Sequence, residues 1–333
     1  MDYRQFGQSG LKVSELGLGT LTFGSKTPAW DAQQIMDHFI HNGGTLIDTS
    51  DRYGNGKAEA IIGQWMSNGN HRPHVIIATK GGGKPNTDPN RRGLSRHAMI
   101  HLVDDSLQRL QTDYIDIYYP EFWDATTPLE ETLYTLETLI QQGKIRYLAC
   151  TNWQAWQLSQ ALTHQQLRHW SPFVALQLPY NLLERSYEHQ YQSLIEYTGL
   201  GVIAAAPNAG GFLTGKYHQN QPFDKKDRFF DEEHPMTPFY HDMALNNHGW
   251  LMNDLLHELA HTLNTTPRLI ALSWVLQQPR VASALIGISY IHQIDENMEP
   301  YKITLDAETL GRLNHAIPKP NLYPANTIDW LTP

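Results

Sequence analysis

The sequence predicts an α/β protein of the (β/α)8 TIM-barrel class. Two observations carry that expectation. Short apolar runs end in polar residues, as buried parallel strands do when their C-terminal ends open into a site. Most of these runs also begin roughly 25–40 residues apart, the spacing of a strand plus a crossover helix. No Gly-x-Gly-x-x-Gly follows the first strand, which counts against an open dinucleotide-binding sheet.

In chain order, the stretch from Arg4 to Gly10 and then Leu11, Lys12 and Val13 reads as a β-hairpin, occupying about 1–14 ahead of the barrel. Strands are expected at 16–19, 45–48, 75–79, 115–119, 147–150, 174–177, 202–205 and 284–286. Ser95 is placed to cap a helix over 96–110. Thr127-Pro128-Leu129-Glu130 reads as a capping box with Pro at the first helical position, opening a helix to about 142. Thr266-Pro267 opens another to about 278. Gly43, Gly143 and Gly199 stand where helices end in a left-handed residue. A long stretch at about 207–247 interrupts the seventh unit and is expected to be a lid or binding loop, with a plain surface loop as the alternative. Pro318, Pro320 and Pro324 make the tail at about 318–333 irregular. The whole of 1–333 is read as a single domain.

The chain has 333 residues, 41% hydrophobic, enough to bury a large core. A net charge of −9 and a pI near 6.0 argue against nucleic acid or an anionic membrane as partner. One cysteine, Cys150, excludes an internal disulfide framework and reads as a packing residue. No secretory leader or spanning run is visible, so a cytoplasmic protein acting on a small molecule is expected, its oligomeric state left open.

The chemistry lies in four motifs: Leu46-Ile47-Asp48-Thr49-Ser50-Asp51-Arg52-Tyr53-Gly54, Ile77-Ala78-Thr79-Lys80, Tyr114-Ile115-Asp116-Ile117-Tyr118-Tyr119-Pro120-Glu121 and Ala149-Cys150-Thr151-Asn152. A carbonyl reductase must protonate an oxygen. Tyr53 offers a hydroxyl, Lys80 an ammonium that lowers its pKa, and Asp48 a carboxylate that fixes the lysine. An ordinary surface tyrosine beside an Asp–Lys pair is the bland alternative.

These motifs resemble the active site of the aldo-keto reductase family, and the resemblance spans nearly the whole chain. Phe6-Gly7-Gln8-Ser9-Gly10-Leu11, Gln177-Leu178-Pro179-Tyr180-Asn181 and Gly210-Gly211-Phe212-Leu213-Thr214-Gly215-Lys216-Tyr217 extend it, closest to the bacterial and potassium-channel β-subunit-like branch. It implies NADP(H) extended across the barrel mouth and a catalytic set of Asp48, Tyr53, Lys80 and Glu121, with Glu121 where the family carries histidine. A glutamate there donates a hydrogen bond only when protonated, and the family's enone-reducing branch carries the same residue. A small carbonyl or an enone is therefore the implied substrate. Acid/base chemistry of an isomerase or lyase, or a nucleotide-binding subunit without turnover, are the alternatives.

For the cofactor the resemblance implies Gly19, Thr20, Asp48, Thr151, Asn152, Gln177, Ala205, Ala206 and Pro207 about the nicotinamide. It implies Lys216 and Arg228 for the phosphates, and Ser289, Gln293, Glu296 and Asn297 for the adenosine end. Ala205 stands where the family usually stacks Trp or Tyr on the nicotinamide, a loss on the order of 1 kcal/mol. Tyr290 and Gln293 are neutral where a cation often meets the 2′-phosphate, so NAD(H) is not excluded. Phe23, Phe122, Trp123 and Trp153 are candidate substrate-pocket residues, each equally readable as core. His257-Glu258-Leu259-Ala260-His261 fits a zinc-protease motif, but lacks its usual extension and falls on an expected outer helix, so metal catalysis is not expected.

Overall fold

Hydrophobic pattern and strand position agree along the chain. The computed structural model describes residues 1–83, 88–219, 237–291, 293–294 and 302–318. Strands β1 (Tyr3–Gln5) and β2 (Lys12–Ser14) form the antiparallel hairpin. Then come β3 (Leu16–Gly19), β4 (Leu46–Asp48), β5 (Ile76–Gly81), β6 (Ile115–Pro120), β7 (Ile145–Thr151), β8 (Phe173–Pro179), β9 (Gly201–Ala205) and β10 (Val281–Gly287). These eight close into a barrel in the order β10-β3-β4-β5-β6-β7-β8-β9. Each lies where the sequence predicts a strand.

The helices are α1 (Ala29–His41), α2 (Lys57–Gly69), α3 (Arg96–Leu110), α4 (Leu129–Gln141), α5 (Ala155–Arg168), α6 (Ser186–Gln190) and α7 (Gln192–Thr198). They continue with α8 (Thr237–Ala244), α9 (Asn247–Thr262), α10 (Pro267–Leu276) and α11 (Ala307–His315). Ser95 Oγ accepts the Ala98 N–H and Thr266 Oγ1 the Leu269 N–H, as their positions predict. The expected capping box at Thr127 does not form. Pro128 is the N-cap of α4, and the Thr127 hydroxyl donates instead to Asp124 Oδ2 at 2.7 Å. Asp124 also accepts the Thr126 and Leu94 amides, and with the helix starting one residue later Thr127 lies outside the cap position. Gly43, Gly143 and Gly199 are left-handed just past their helices.

The chain divides into two compact units. The first comprises Met1–Leu178, Leu194–Ile203 and Arg280–Glu299. Its core is a set of inward side chains that includes Leu46, Ala78, Ile117, Tyr119, Ala149, Ala175, Ile203 and Leu285, with Phe6 and Val13 of the hairpin. Each fully buried Leu or Ile contributes about 1.5–3 kcal/mol over its exposed state. Gly7 shows why the hairpin needs a glycine. Its φ is +59°, and a Cβ there would lie 1.9 Å from the Val174 carbonyl oxygen. Cys150 is buried, as expected of a packing residue.

The second unit comprises Pro179–Ser193, Ala204–Pro279 and Pro300–Pro333. It is organised on Trp274 of α10, whose ring lies 5.3 Å from Tyr180 and whose Nε1 donates to Asn314 Oδ1. Of the expected insertion, the described part holds a 3-10 turn (Ala209–Thr214) and α8; 220–236 lies outside the described residues. Nearly all of the expected tail lies outside them too. Among the described residues, no helix is long and apolar enough to cross a membrane.

Candidate active site

The period of two along a strand determines which side chains enter the barrel. Leu46, Ala78, Ile117, Tyr119, Ala149 and Ala175 all belong to the core. Two residues beyond core positions on their own strands, or just past the strand end, stand Asp48, Lys80, Glu121, Thr151 and Gln177. Each of the five is buried. Neighbouring parallel strands therefore present one polar layer above the apolar one. The register aligns it: Asp48 pairs with Ala78, and Lys80 with Tyr119.

Within that layer, Lys80 Nζ donates to Asp48 Oδ1 at 2.5 Å and to the Thr49 carbonyl at 2.9 Å. Gln177 Nε2 donates to Asp48 Oδ2 at 2.7 Å. The ammonium also lies 5.4 Å from the Tyr53 ring centroid and 5.3 Å from that of Tyr119. Thr20 donates from both its amide and its hydroxyl to the Asp48 carbonyl, anchoring the end of β4. Burial acts to lower the Lys80 pKa, but Asp48, with Tyr53 and Glu121, outweighs it and holds the ammonium above the usual lysine range.

Tyr53 begins a short 3-10 turn after β4. Gly54, Asn55 and Gly56 follow with φ of 57°, 60° and 89°, and this left-handed run returns the chain into α2. The tyrosine's pKa is the reverse of the sequence expectation. Burial raises it, and the opposing pull of Lys80 is the smaller effect, so the phenol stays protonated well into alkaline pH.

Glu121 sits just past the end of β6, its amide donating to the Gly81 carbonyl. Ser50 Oγ lies 3.5 Å from its Oε2, and Arg52 Nη1 lies 3.6 Å from its Oε1. Asn152 Nδ2 donates to its backbone oxygen at 3.3 Å. Burial raises the carboxyl pKa; Arg52 and then Lys80 work against it, and Asp48 adds to the rise. Gly83 leaves the space over this carboxylate. A Cβ there would meet Glu121 Oε2 at 2.7 Å and the Phe122 ring at 2.5 Å. The Arg52 guanidinium lies over that same ring, 5.3 Å from its centroid.

Asp48, Lys80, Gln177, Tyr53 and Glu121 are thus brought together, with Asn152 and Thr151 at the adjoining strand end and Gly19 closing β3. Phe122 is exposed at this edge. Trp123 is half-buried, 5.1 Å from Trp153, whose buried ring also faces Phe173. Phe23 is wholly buried. Ser289 and Gln293 form a separate turn of the first unit, in which Gln293 Oε1 accepts the Ser289 and Tyr290 amides. Ala205, Ala206 and Pro207 belong to the second unit; Ala206 is left-handed, and its carbonyl accepts from Asn181. Lys216, in that unit, is exposed with its ammonium 4.6 Å from the Tyr217 ring centroid. Arg228, Glu296 and Asn297 lie outside the described residues. His257 and His261 are on α9; Glu258 between them pairs with Arg312 at 2.8 Å.

Sequence reading missed Ser50, Arg52 and Tyr119 as neighbours of the site. All three lie inside the motifs that revealed it, and a charged residue immediately before Tyr53 was the available signal.

A sequence profile described as the aldo/keto reductase family matches residues 15–318. The chain belongs to the aldo/keto reductase family. It is similar over 340 residues, at 33% identity, to a Bacillus subtilis (strain 168) protein described as the uncharacterized oxidoreductase YrpG, covering 99% of this chain and 100% of that one. Over 312 residues it is 34% identical to a protein of Oryza sativa subsp. japonica described as a probable voltage-gated potassium channel subunit beta, covering 90% of each. As an aldo/keto reductase it is an oxidoreductase, of a family that uses nicotinamide cofactors on small molecules.

Proposed function

We propose that this aldo/keto reductase reduces a small carbonyl or enone with NADP(H), and that Tyr53 is its proton donor. The single observation that carries this reading is Lys80. Its ammonium is held by Asp48 and Thr49 while lying over the Tyr53 ring. A phenol kept protonated by burial gives up its proton only to an oxygen gaining negative charge, and a fixed ammonium stabilises the phenolate that remains. Asp48 positions the lysine, and Gln177 in turn holds Asp48.

The donor set at the strand ends fits a nicotinamide. Asn152, exposed and left-handed at the end of β7, carries a neutral amide able to exchange hydrogen bonds with a carboxamide. Thr151 stands beside it. When bound, NAD(P)H would supply the hydride, while Tyr53 would supply the proton to the oxygen. Gln293 is neutral, so the choice of NADP(H) over NAD(H) rests on family likeness. Glu121, its pKa raised, is suited to donate a hydrogen bond to the substrate oxygen in its protonated form.

Fluorescence titration with NADPH and NADH, followed by NADPH oxidation with aldehydes, ketones and enones, tests the reading. Saturable binding and turnover of one class are expected. No saturable binding of either dinucleotide at millimolar concentration overturns it.

A further inference from the structure

Arg52 is the charged side chain of the site that the mechanism leaves unused. It is partly exposed, and among the described residues its guanidinium has one ion pair, at 3.6 Å, and one ring face. A contact of that length is too long for a well-formed hydrogen bond, so most of its five N–H donors are uncommitted. Its position is nonetheless set. The Phe122 ring supports the planar group from one side, and its backbone N–H donates to Ser50 Oγ at 3.2 Å. Its charge, like that of Glu121, is felt at the Tyr53 hydroxyl, so a group it holds lies in the same site.

We propose that Arg52 selects the substrate by binding a carboxylate carried a short distance from the reducible carbonyl, and that Glu121 occupies this guanidinium when no substrate is bound. A planar guanidinium with free donors pairs with a carboxylate in two parallel hydrogen bonds, which the single long contact with Glu121 does not achieve. Glu121 is also well placed to yield. It is faced by Arg52, Lys80, Asp48 and Ser50, and burial already favours its protonated form. Once displaced it takes up a proton, and the incoming anion does not add to an uncompensated charge. Reduction then converts an oxo acid into the hydroxy acid, the hydride going to carbon and the Tyr53 proton to oxygen. The carboxylate contact stands on the geometry of Arg52; its link to a reducible carbonyl rests on the reductase reading above.

The test separates the two. Oxamate, a non-reducible oxo-acid isostere, neutral oxamide and inorganic phosphate are titrated calorimetrically into the full chain, with and without NADP+. Oxamate is expected to bind at least about tenfold more tightly than oxamide and than phosphate. Arg52→Met should weaken it at least about tenfold. Arg52→Lys, which keeps the charge and loses the fork, should fall between, and Glu121→Gln, which removes the competing carboxylate, should tighten it. The kcat/KM ratio of pyruvate to methyl pyruvate should drop in Arg52→Lys. Equal binding of oxamate and oxamide, tighter binding of phosphate, or oxamate affinity unchanged in both Arg52 variants overturns the proposal. Arg52-dependent oxamate binding with no turnover of any carbonyl would sink the reductase reading and leave the anion site standing. Turnover of neutral carbonyls with Arg52-independent oxamate binding would do the reverse.

Discussion

Lys80 Nζ and Asp48 Oδ1 are 2.5 Å apart at the C-terminal ends of adjacent strands, and both side chains are almost completely buried. The pair is enclosed by the barrel, with Gln177 satisfying the second carboxylate oxygen. Such a pair adds little net stability, because burial offsets the attraction, but breaking it leaves a buried charge alone. Lys80→Met should therefore cost about 3–5 kcal/mol in urea unfolding. Asp48→Asn combined with Lys80→Met should cost distinctly less than the single change, since no buried charge is stranded. Equal losses in the two proteins would show that the lysine's alkyl packing, not its charge, is what the barrel needs.

Tyr53→Phe removes one hydroxyl from a half-buried ring and leaves the 3-10 turn and its left-handed residues unchanged. Folding should survive. Turnover on the native substrate should fall by about 10² or more, the usual contribution of a positioned general acid. Circular dichroism and steady-state kinetics on the same preparation check both halves. A variant retaining most of its turnover would remove Tyr53 from the mechanism.

The barrel was legible because each strand carries its own signal. Apolar runs such as Ile115-Asp116-Ile117-Tyr118-Tyr119 need no partner to be recognised, and all eight fell in place. Helix starts at Ser95 and Thr266 were equally local. What escaped depended on contacts distant in sequence. Lys80 was expected to lower the Tyr53 pKa, which ignored the larger effect of burial, a quantity no motif displays. Arg52 acquires significance only beside Glu121 and Phe122, which follow a different strand.

The raised Glu121 pKa makes stability depend on pH in a defined window. A carboxyl whose folded pKa lies above its unfolded value, about 4.3, binds more protons when folded. Its contribution is greatest at low pH and is lost as pH rises through the folded pKa. Glu121→Gln has no such titration. The stability of the variant relative to the native protein should therefore increase from pH 4.5 upward and level off once Glu121 is ionised. Urea midpoints for both proteins across this range give the difference, from which other carboxylates largely cancel. A flat difference would mean that Arg52 and Lys80 offset the burial of Glu121 in full.

Glu121→His distinguishes two roles for the same carboxyl. Glu121 is buried, 3.6 Å from Arg52 and 3.5 Å from Ser50, and it donates a hydrogen bond only in its protonated fraction. A neutral imidazole donates one near pH 7 without taking up a proton. If the native reaction is ordinary carbonyl reduction hampered by this glutamate, Glu121→His should raise turnover of simple aldehydes and ketones. If Glu121 serves enone reduction as a proton donor, the same change should abolish the native activity, because a histidine does not supply the carboxylic proton. The outcomes differ in sign. A panel of aldehydes, ketones, enones and oxo acids assayed on both proteins decides between them. Identical activities throughout would show that the side chain past β6 does not reach the substrate, despite its burial beside Tyr53 and Lys80.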